Sequence, residues 1–113
     1  MAVRGELVQS DRPEWGPLRQ VLPDTLVETF MWMFEVCLGR HRIHAYKHVV
    51  TRRYVHLSES GRAYVYVDDD RYARIPVATA LELALAPWWE ELGASAEETA
   101  AAWAAIAAAR GGR

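Results

Sequence analysis

Cysteine and long apolar segments are nearly absent from this sequence. Cys37 is the only cysteine, which excludes an internal disulfide and any metal site built on several thiolates, and favours a reducing compartment. The longest apolar-looking run, residues 30–39, contains Glu35 and is too short to span a bilayer. The N-terminal residues lack the apolar region of a signal peptide. We therefore expect a cytoplasmic protein with no membrane association.

Several motifs that carry chemistry are absent as well. The chain has no glycine-rich phosphate loop, no serine nucleophile elbow and no His-x-x-x-His pattern on a helix. The run Asp68–Asp70 lacks the glycine and distal glutamate of an EF-hand, so a solvated turn is the better interpretation. His44 and His48 would stand about 13 Å apart along one strand, too far to share a zinc ion. We expect no metal and no cofactor, and the balance is against an enzyme.

The 113 residues fit a single domain with an ordinary globular balance of apolar and charged side chains. Glycine and proline recur in residues 1–23, which predicts an irregular N-terminal arm. Within that arm, one turn of helix would lay Trp15 and Leu18 over the core. Residues 24–113 then form one α+β domain.

Residues 25–38 are compatible with two structures. Thr25 and Glu28 match a capping box and Gly39 suits a helix C-terminus, so one continuous helix is an alternative. The aromatic-rich run FMWMFEVCL, followed at Gly39-Arg40 by another strand-like run, favours a β-hairpin. The hairpin register pairs Val36 with Ile43, Phe34 with Ala45, Glu35 with His44, and Met33 with Tyr46.

From Arg42 to Leu57 the side chains alternate with a period of two, which is typical of a strand. The odd positions are mostly apolar and predict a core face, whereas the even positions are basic or aromatic and predict a second face. Since 16 residues are long for one strand, we expect a bend or bulge at Val49–Thr51.

Two turns continue this pattern, SESGR at 58–62 and DDDR at 68–71. A five-residue first turn makes His56 face Tyr64, Tyr66 face Tyr54, and Val65 face Val55. The sequence therefore predicts a bent antiparallel meander of four to five strands over residues 30–75, with a small open barrel as one form of it.

Helices are predicted after Pro76 and are expected to pack on the apolar face of the sheet. The first covers about residues 77–86, where Pro87 breaks it, and a second covers 88–92. A capping box formed by Ser95 and Glu98 begins a helix over 96–110. Its narrow stripe, which includes Trp103 and Ile106, would pack on the same domain or form a homodimer.

Positive charge is concentrated in one region, although the net charge of the chain is −2. Residues 40–62 contain six basic residues and a single acid, Glu59. Cations that meet phosphates, mixed with rings that stack on bases, are typical of single-stranded nucleic-acid platforms. The same residue types also occur on solvated or helix-covered sheet faces. The candidate binding residues are Arg42, His44, Tyr46, His48, Arg52, Tyr54, His56, Tyr64, Tyr66, Tyr72 and Arg74.

Three functions are compatible with this face. The first is a small nucleic-acid-binding accessory or regulatory module, with a single-stranded nucleic acid or an acidic protein as partner. The second is a protein-interaction module, such as a regulator, immunity or inhibitor protein, that makes no nucleic-acid contact. The third is a metal-independent ribonuclease, in which Glu35, His44 and His56 would be the general acid and base candidates.

The segments FMWMFEV, HAYKHVVTRRYVHL and GRAYVY resemble an uncharacterised family of short proteins from actinobacterial genomes and their mobile elements. The resemblance extends over about residues 23–76 and leaves out the arm and the alanine-rich tail. In that family a polar hairpin turn follows the Glu-Val pair, which supports a strand at residues 30–38. The resemblance implies no activity.

Overall fold

The computed structural model describes residues 1–111, which form an α+β fold. The strands are β1 (Ala2–Arg4), β2 (Glu6–Val8), β3 (Phe30–Leu38), β4 (His41–His48), β5 (Tyr54–Ser58), β6 (Ala63–Asp68) and β7 (Arg71–Ile75). The helices are α1 (Gly16–Arg19), α2 (Asp24–Val27), α3 (Val77–Glu90) and α4 (Ala96–Gly111). Within this part of the chain no helix is long and apolar enough to cross a membrane.

The strands form one antiparallel sheet in the order β1-β7-β6-β5-β4-β3-β2. Strands β3 to β7 follow one another as a meander, which confirms the predicted architecture. Strands β1 and β2 are neighbours in the chain but lie at opposite ends of this order. The sheet is therefore bent round until it is nearly closed, as in a small barrel.

The N-terminal segment closes this barrel, and the predicted irregular arm is wrong for residues 2–8. Residues Ala2–Arg4 pair with β7 and Glu6–Val8 pair with β3. Gly5 lies between the two halves, where a Cβ atom would stand 2.5 Å from Val36 Cγ1 and 2.7 Å from Leu38 Cδ2. Only glycine lets the backbone approach the inside of the barrel this closely.

The β3–β4 hairpin confirms the strand interpretation of residues 30–38. Gly39 forms the turn with a φ of 60°, and the register pairs Val36 with Ile43, Glu35 with His44, and Phe34 with Ala45, as predicted. Beyond Phe34 the predicted register is wrong, because a β-bulge between Trp32 and Phe34 places Trp32, not Met33, opposite Tyr46.

The segment from Arg42 to Leu57 is two antiparallel strands joined by a loop at residues 49–53, not one bent strand. In the register Lys47 faces Tyr54 and Tyr46 faces Val55. The loop therefore exchanges the parity of the side chains: even positions of β4 share a face with odd positions of β5. The single even-numbered face predicted from the sequence does not exist.

The polar side chains of His48 and Thr51 shape this loop. The Nδ1 atom of His48 accepts hydrogen bonds from the amides of Val50 (3.3 Å) and Thr51 (3.1 Å). The Thr51 hydroxyl donates to the Ala84 carbonyl (2.8 Å) and accepts from the Arg53 amide. Arg52 has a φ of 64°, in the left-handed region that lets a chain reverse sharply. Residues far apart in sequence thus hold a turn that contains no glycine.

The strand pairing shows which side chains share each face of the sheet. We call the side packed against the helices the covered face; it contains His44, Tyr46, His48, Val55, Leu57 and Ala63. We call the opposite, inner side the cavity face; it contains Phe34, Val36, Ala45, Tyr54, His56, Tyr64 and Tyr72. Both faces are largely buried, because the barrel curves round one and the helices cover the other.

Helix α3 provides most of the cover, and the predicted break at Pro87 is wrong. The helix runs continuously from Val77 to Glu90 with Pro87 inside it. Leu85 and Trp88, on either side of the proline, are buried in the same core. Their packing offsets the cost of about 3 kcal/mol that an interior proline carries.

Short helices at the N-terminal end add to the cover. As predicted, one turn of helix, α1, buries Leu18 and lays Trp15 over the core, 5.6 Å from the Tyr46 ring. The Thr25 capping-box alternative does not form; residues 24–27 are the separate short helix α2.

Helix α4 packs on α3 and begins at the predicted capping box. The Glu98 carboxylate accepts from the Ser95 amide (2.8 Å), and the Ser95 hydroxyl accepts from the Glu98 amide (3.0 Å). Ile106 is fully buried inside the chain, so it is not available as a dimer contact. Trp103 packs on Trp89, with ring centroids 4.9 Å apart. A homodimer through Trp103 stays a prediction.

Candidate functional site

The cavity face borders an open cavity of about 570 Å³. In small barrels the inward side chains usually fill the interior, so an unfilled space of this size is unusual. Ligand pockets in proteins fall in the range of roughly 300–1,000 Å³. The walls are formed mainly by rings, those of Phe34, Tyr54, His56, Tyr64, Tyr66 and Tyr72.

The rings form one continuous aromatic wall. Tyr54 stacks on His56 with an interplanar angle of 15° and centroids 5.8 Å apart. Tyr72 meets His56 edge to face at 5.3 Å, and Tyr66 meets Tyr72 in the same way at 5.3 Å. Phe34 lies 6.2 Å from Tyr54 and completes the wall. Such a wall presents flat ring faces and polarised ring edges to the cavity.

Three polar side chains of this wall are more than nine-tenths buried and have no hydrogen-bond partner among residues 1–111. The exposed fractions of His56, Tyr64 and Tyr72 are 7%, 9% and 6%. Their polar atoms are not sealed from solvent, because among residues 1–111 only His48 Nε2 is a fully buried side-chain polar atom without a partner. They are suited to hydrogen bonding with a molecule inside the cavity.

The protonation states of these groups follow from burial. Loss of solvation lowers the pKa of His56 to about 4, so its imidazole is neutral near pH 7, with one N–H donor and one acceptor nitrogen. Burial, with smaller effects of Tyr66 and Asp70, raises the pKa of Tyr72, whose hydroxyl remains a donor. These two groups are therefore uncharged near pH 7 and together offer hydrogen bonds in both directions.

Tyr54 of β5 and Tyr66 of β6 line the cavity and are 38% and 46% exposed, so the cavity opens where these two strands separate. Their ladder comprises only the pairs His56–Tyr64 and Leu57–Ala63, so the expected pairs of Tyr66 with Tyr54 and Val65 with Val55 do not form. Ala80 and Leu83 of α3 line the cavity beside this gap. Two apolar residues of the rim, Leu7 and Leu83, are 66% and 52% exposed.

The histidines of the covered face, His44 and His48, make structural contacts that His56 does not make. The Nδ1 atom of His44 accepts a hydrogen bond from Trp32 Nε1 (3.1 Å), and its Nε2 lies 3.2 Å from a carboxylate oxygen of Glu59. Both nitrogens of this buried ring are therefore occupied. A general base needs a free nitrogen lone pair, so His44 is a structural link between β3, β4 and the β5–β6 loop.

His48 is also a structural group. It is fully buried, its Nδ1 atom accepts two amides of the loop, and its Nε2 atom has no hydrogen-bond partner. The ring packs against Trp88 at 4.6 Å and against Phe30, edge to face, at 4.9 Å. Because Nδ1 is an acceptor, the proton of neutral His48 resides on Nε2, beside aromatic rings that are weak acceptors. Burial lowers the pKa of His48 to about 4, against a smaller opposing effect of Glu98.

The eleven candidate binding residues do not share one surface. His44, Tyr46 and His48 lie on the covered face, and the Tyr46 hydroxyl donates to the Glu14 carbonyl at 2.5 Å. The cavity face brings together Tyr54, His56, Tyr64, Tyr66 and Tyr72. The three arginines are separate: Arg42 is paired with Glu35, Arg52 lies in the β4–β5 loop, and Arg74 lies opposite Tyr64 but is exposed.

The three catalytic candidates are not brought together either. Glu35 and His44 face each other in the ladder, as predicted, but Glu35 accepts from Arg42, and both hydrogen bonding to Glu35 and its charge raise the pKa of Arg42. His56 lies on the opposite face of the sheet. Among the described residues, no group of histidine, cysteine and acidic side chains could hold a metal ion.

The cavity is also lined by Phe34, Arg53, Gly5 and Leu7, which were not among the residues predicted from the sequence. A signal for the N-terminal strand was present, because Val3, Gly5 and Leu7 alternate with Arg4 and Glu6. Phe34 was assigned to the apolar side of the hairpin, as the structure confirms, but nothing in the pattern marks that side as hollow.

No family model matches the chain, and no curated protein and no solved structure is significantly similar to it. The resemblance to the actinobacterial family stays a prediction.

Proposed function

We propose that this protein is a binding module that takes a small, largely apolar molecule with a flat ring into its barrel. One observation carries the proposal: an aromatic-lined cavity of about 570 Å³ whose buried His56, Tyr64 and Tyr72 have no protein hydrogen-bond partner among residues 1–111. A ligand ring would stack on the wall, and its polar atoms would bond to those three groups.

The nucleic-acid module expected from the sequence stays a prediction, and so do the protein-interaction and ribonuclease alternatives. The premise of the first was a continuous basic and aromatic face, whereas four of the five candidate tyrosines line a concave cavity and none of the three candidate arginines does. A concave aromatic site favours a single ring over an extended strand.

Titration with naphthalene-2-carboxamide, a neutral flat probe, tests the proposal. The expected result in backbone amide NMR spectra is a set of shifts confined to the cavity face, at Tyr54, Tyr64 and Tyr66. Signals of His44 and His48 on the covered face should stay in place. Absence of binding at 1 mM, or shifts confined to the covered face, would overturn the proposal.

A matched pair of substitutions on β6 adds a second test. Val65 lines the cavity, whereas Val67 is 47% exposed and does not. Val65→Trp places an indole at the cavity and should weaken probe binding at least roughly tenfold, as expected when a ligand loses most of its buried area. Val67→Trp should bind like the wild type. Circular dichroism of both variants checks that the fold is retained.

A further inference from the structure

Near the cavity, more basic than acidic side chains lack an ion-pair partner among residues 1–111. Lys47, Arg52 and Arg53 lie around the β4–β5 loop, and among residues 1–111 none of them has a carboxylate partner within ion-pair distance. Arg53 lines the cavity. The Nζ atom of Lys47 is 5.8 Å from the ring centroid of Tyr54, which also lines it. This side of the mouth therefore carries uncompensated positive charge.

The acidic side of the cavity is mostly neutralised. In the β6–β7 turn, Asp68 is paired with Arg71 and Asp69 with Arg4. Asp70 lines the cavity and is the one carboxylate of this turn without an ion-pair partner in the described chain. One free carboxylate thus opposes three free cations, and the local charge favours an anion.

The position of Arg53 connects this charge to the aromatic wall. Arg53 directly precedes Tyr54 in the chain, and the Tyr54 ring stacks on His56 inside the cavity. A ring held against Tyr54 and His56 can therefore place a substituent beside the Arg53 guanidinium. That planar group binds carboxylates and phosphates through paired N–H donors.

We propose that the ligand is a planar aromatic anion, with its ring in the cavity and its carboxylate or phosphate bound by Arg53. This inference rests on the proposed function. Lys47 and Arg52 reinforce the positive field without entering the cavity. The uncharged donors and acceptors of the interior bind polar atoms on the edge of the ring.

Three probes with the same ring system but different charges test whether the charge of the ligand affects its affinity. Naphthalene-2-carboxylate, naphthalene-2-carboxamide and naphthalen-2-ylmethylammonium are titrated at pH 7 by calorimetry. We expect the carboxylate to bind roughly three- to tenfold more tightly than the amide, a range set by a partly exposed charge-assisted contact. The ammonium should bind most weakly. The advantage of the carboxylate should shrink as salt is raised from 20 mM to 500 mM.

Arg53→Met and Arg52→Met form a matched pair, because each removes one cation from the same loop and only Arg53 lines the cavity. The carboxylate preference should disappear in Arg53→Met and persist in Arg52→Met. Equal affinities of the carboxylate and the amide in the wild type would overturn the inference. So would tightest binding of the ammonium, which would assign the anchor to Asp70.

These outcomes are distinct from a failure of the proposed function. If none of the three probes binds, the cavity is not a ligand site and the function itself is wrong. If the amide binds as well as the carboxylate, the function stands and the anionic ligand is wrong. Adenosine and adenosine 5′-monophosphate identify the source of the anion: a monophosphate that binds more tightly than naphthalene-2-carboxylate indicates a nucleotide, and the reverse order indicates an aryl acid. Either order supports the inference.

Discussion

The two faces of one sheet use the same residue types for opposite purposes. On the covered face, His44 and His48 have hydrogen-bond partners or tight ring contacts, and helices lie over them. On the cavity face, His56 and two tyrosines are also more than nine-tenths buried, but they have no hydrogen-bond partners in the described chain and they line the cavity. Burial alone therefore does not distinguish a structural histidine from a binding one. The distinction is whether an unpaired polar atom is sealed against packed rings, as in His48, or lies at a cavity, as in His56.

The largest expected effect separates core packing from the cavity rim on helix α3. Leu81 is fully buried under the covered face, whereas Leu83, two residues later, is 52% exposed at the mouth of the cavity. Leu81→Ala should lower the free energy of unfolding by about 2–5 kcal/mol, because it removes buried methyl groups and leaves a void. Leu83→Ala should change it by less than about 0.5 kcal/mol. Urea unfolding measures both, and equal losses would contradict the distinction between the two positions.

The next effect concerns closure of the barrel. Gly5→Ala places a methyl group against Val36, Leu38 and Tyr72 at distances of 2.5 to 3.1 Å. We expect a loss of about 1–3 kcal/mol in the free energy of unfolding, the usual cost of overpacking. Gly111→Ala is the control, because an added Cβ there would have no side chain of the described residues 1–111 outside its chain neighbours within 4 Å. A Gly5→Ala variant as stable as the wild type would mean that β1 and β2 do not close the barrel as described.

Acid should weaken the fold through the buried imidazoles of both faces. Desolvation lowers the pKa values of His48 and His56 to about 4, whereas an unfolded histidine has a pKa of about 6.5. Above pH 6.5 both states are neutral and stability is complete. As the pH falls from 6.5 towards 4, only the unfolded state gains protons, so stability is lost. Between pH 7.5 and pH 5.0 we expect a loss of about 1–2 kcal/mol for each histidine.

Urea unfolding at the two pH values measures this loss, and His56→Phe isolates one of the two contributions. The variant should lose about 1–2 kcal/mol less between pH 7.5 and pH 5.0 than the wild type does. An identical pH dependence of wild type and variant would show that His56 is protonated equally easily in the folded and unfolded chains.

The smallest expected change in stability distinguishes His56 on the cavity face from His44 on the covered face. At pH 7.5, His56→Phe breaks no protein hydrogen bond and should alter the free energy of unfolding by less than about 1 kcal/mol. His44→Phe leaves Trp32 Nε1 and Glu59 without their partner and should cost about 1–3 kcal/mol. Only His56→Phe should weaken binding of naphthalene-2-carboxamide, since His56 lines the cavity. If the two variants were equally destabilised, the two histidines would not differ as the hydrogen bonds indicate.

Part of the site could be predicted from the sequence, and the limit has a physical cause. The alternation of Tyr54, His56, Tyr64 and Tyr66 correctly grouped these residues, and the pairing of His56 with Tyr64 is confirmed. The grouping of His44 with His56 is wrong, because the chain reverses at residues 49–53 and the parity of the side chains is exchanged. That reversal depends on the Thr51 hydroxyl bonded to Ala84, a contact between positions 33 apart in the chain. No local pattern records it.

The elements that depend on interactions between residues close in the chain could be predicted from the sequence. The Gly39 hairpin with its pairs from Val36–Ile43 to Phe34–Ala45, the Ser95–Glu98 capping box and the meander of four to five strands all follow from turn chemistry and the period of the side chains. Tertiary structure decided what depends on distant partners: closure by β1 and β2, the unbroken helix through Pro87, and the cavity. The size of a cavity depends on how far the sheet curves and on where its strands separate. Neither can be inferred from one residue and its neighbours in the sequence.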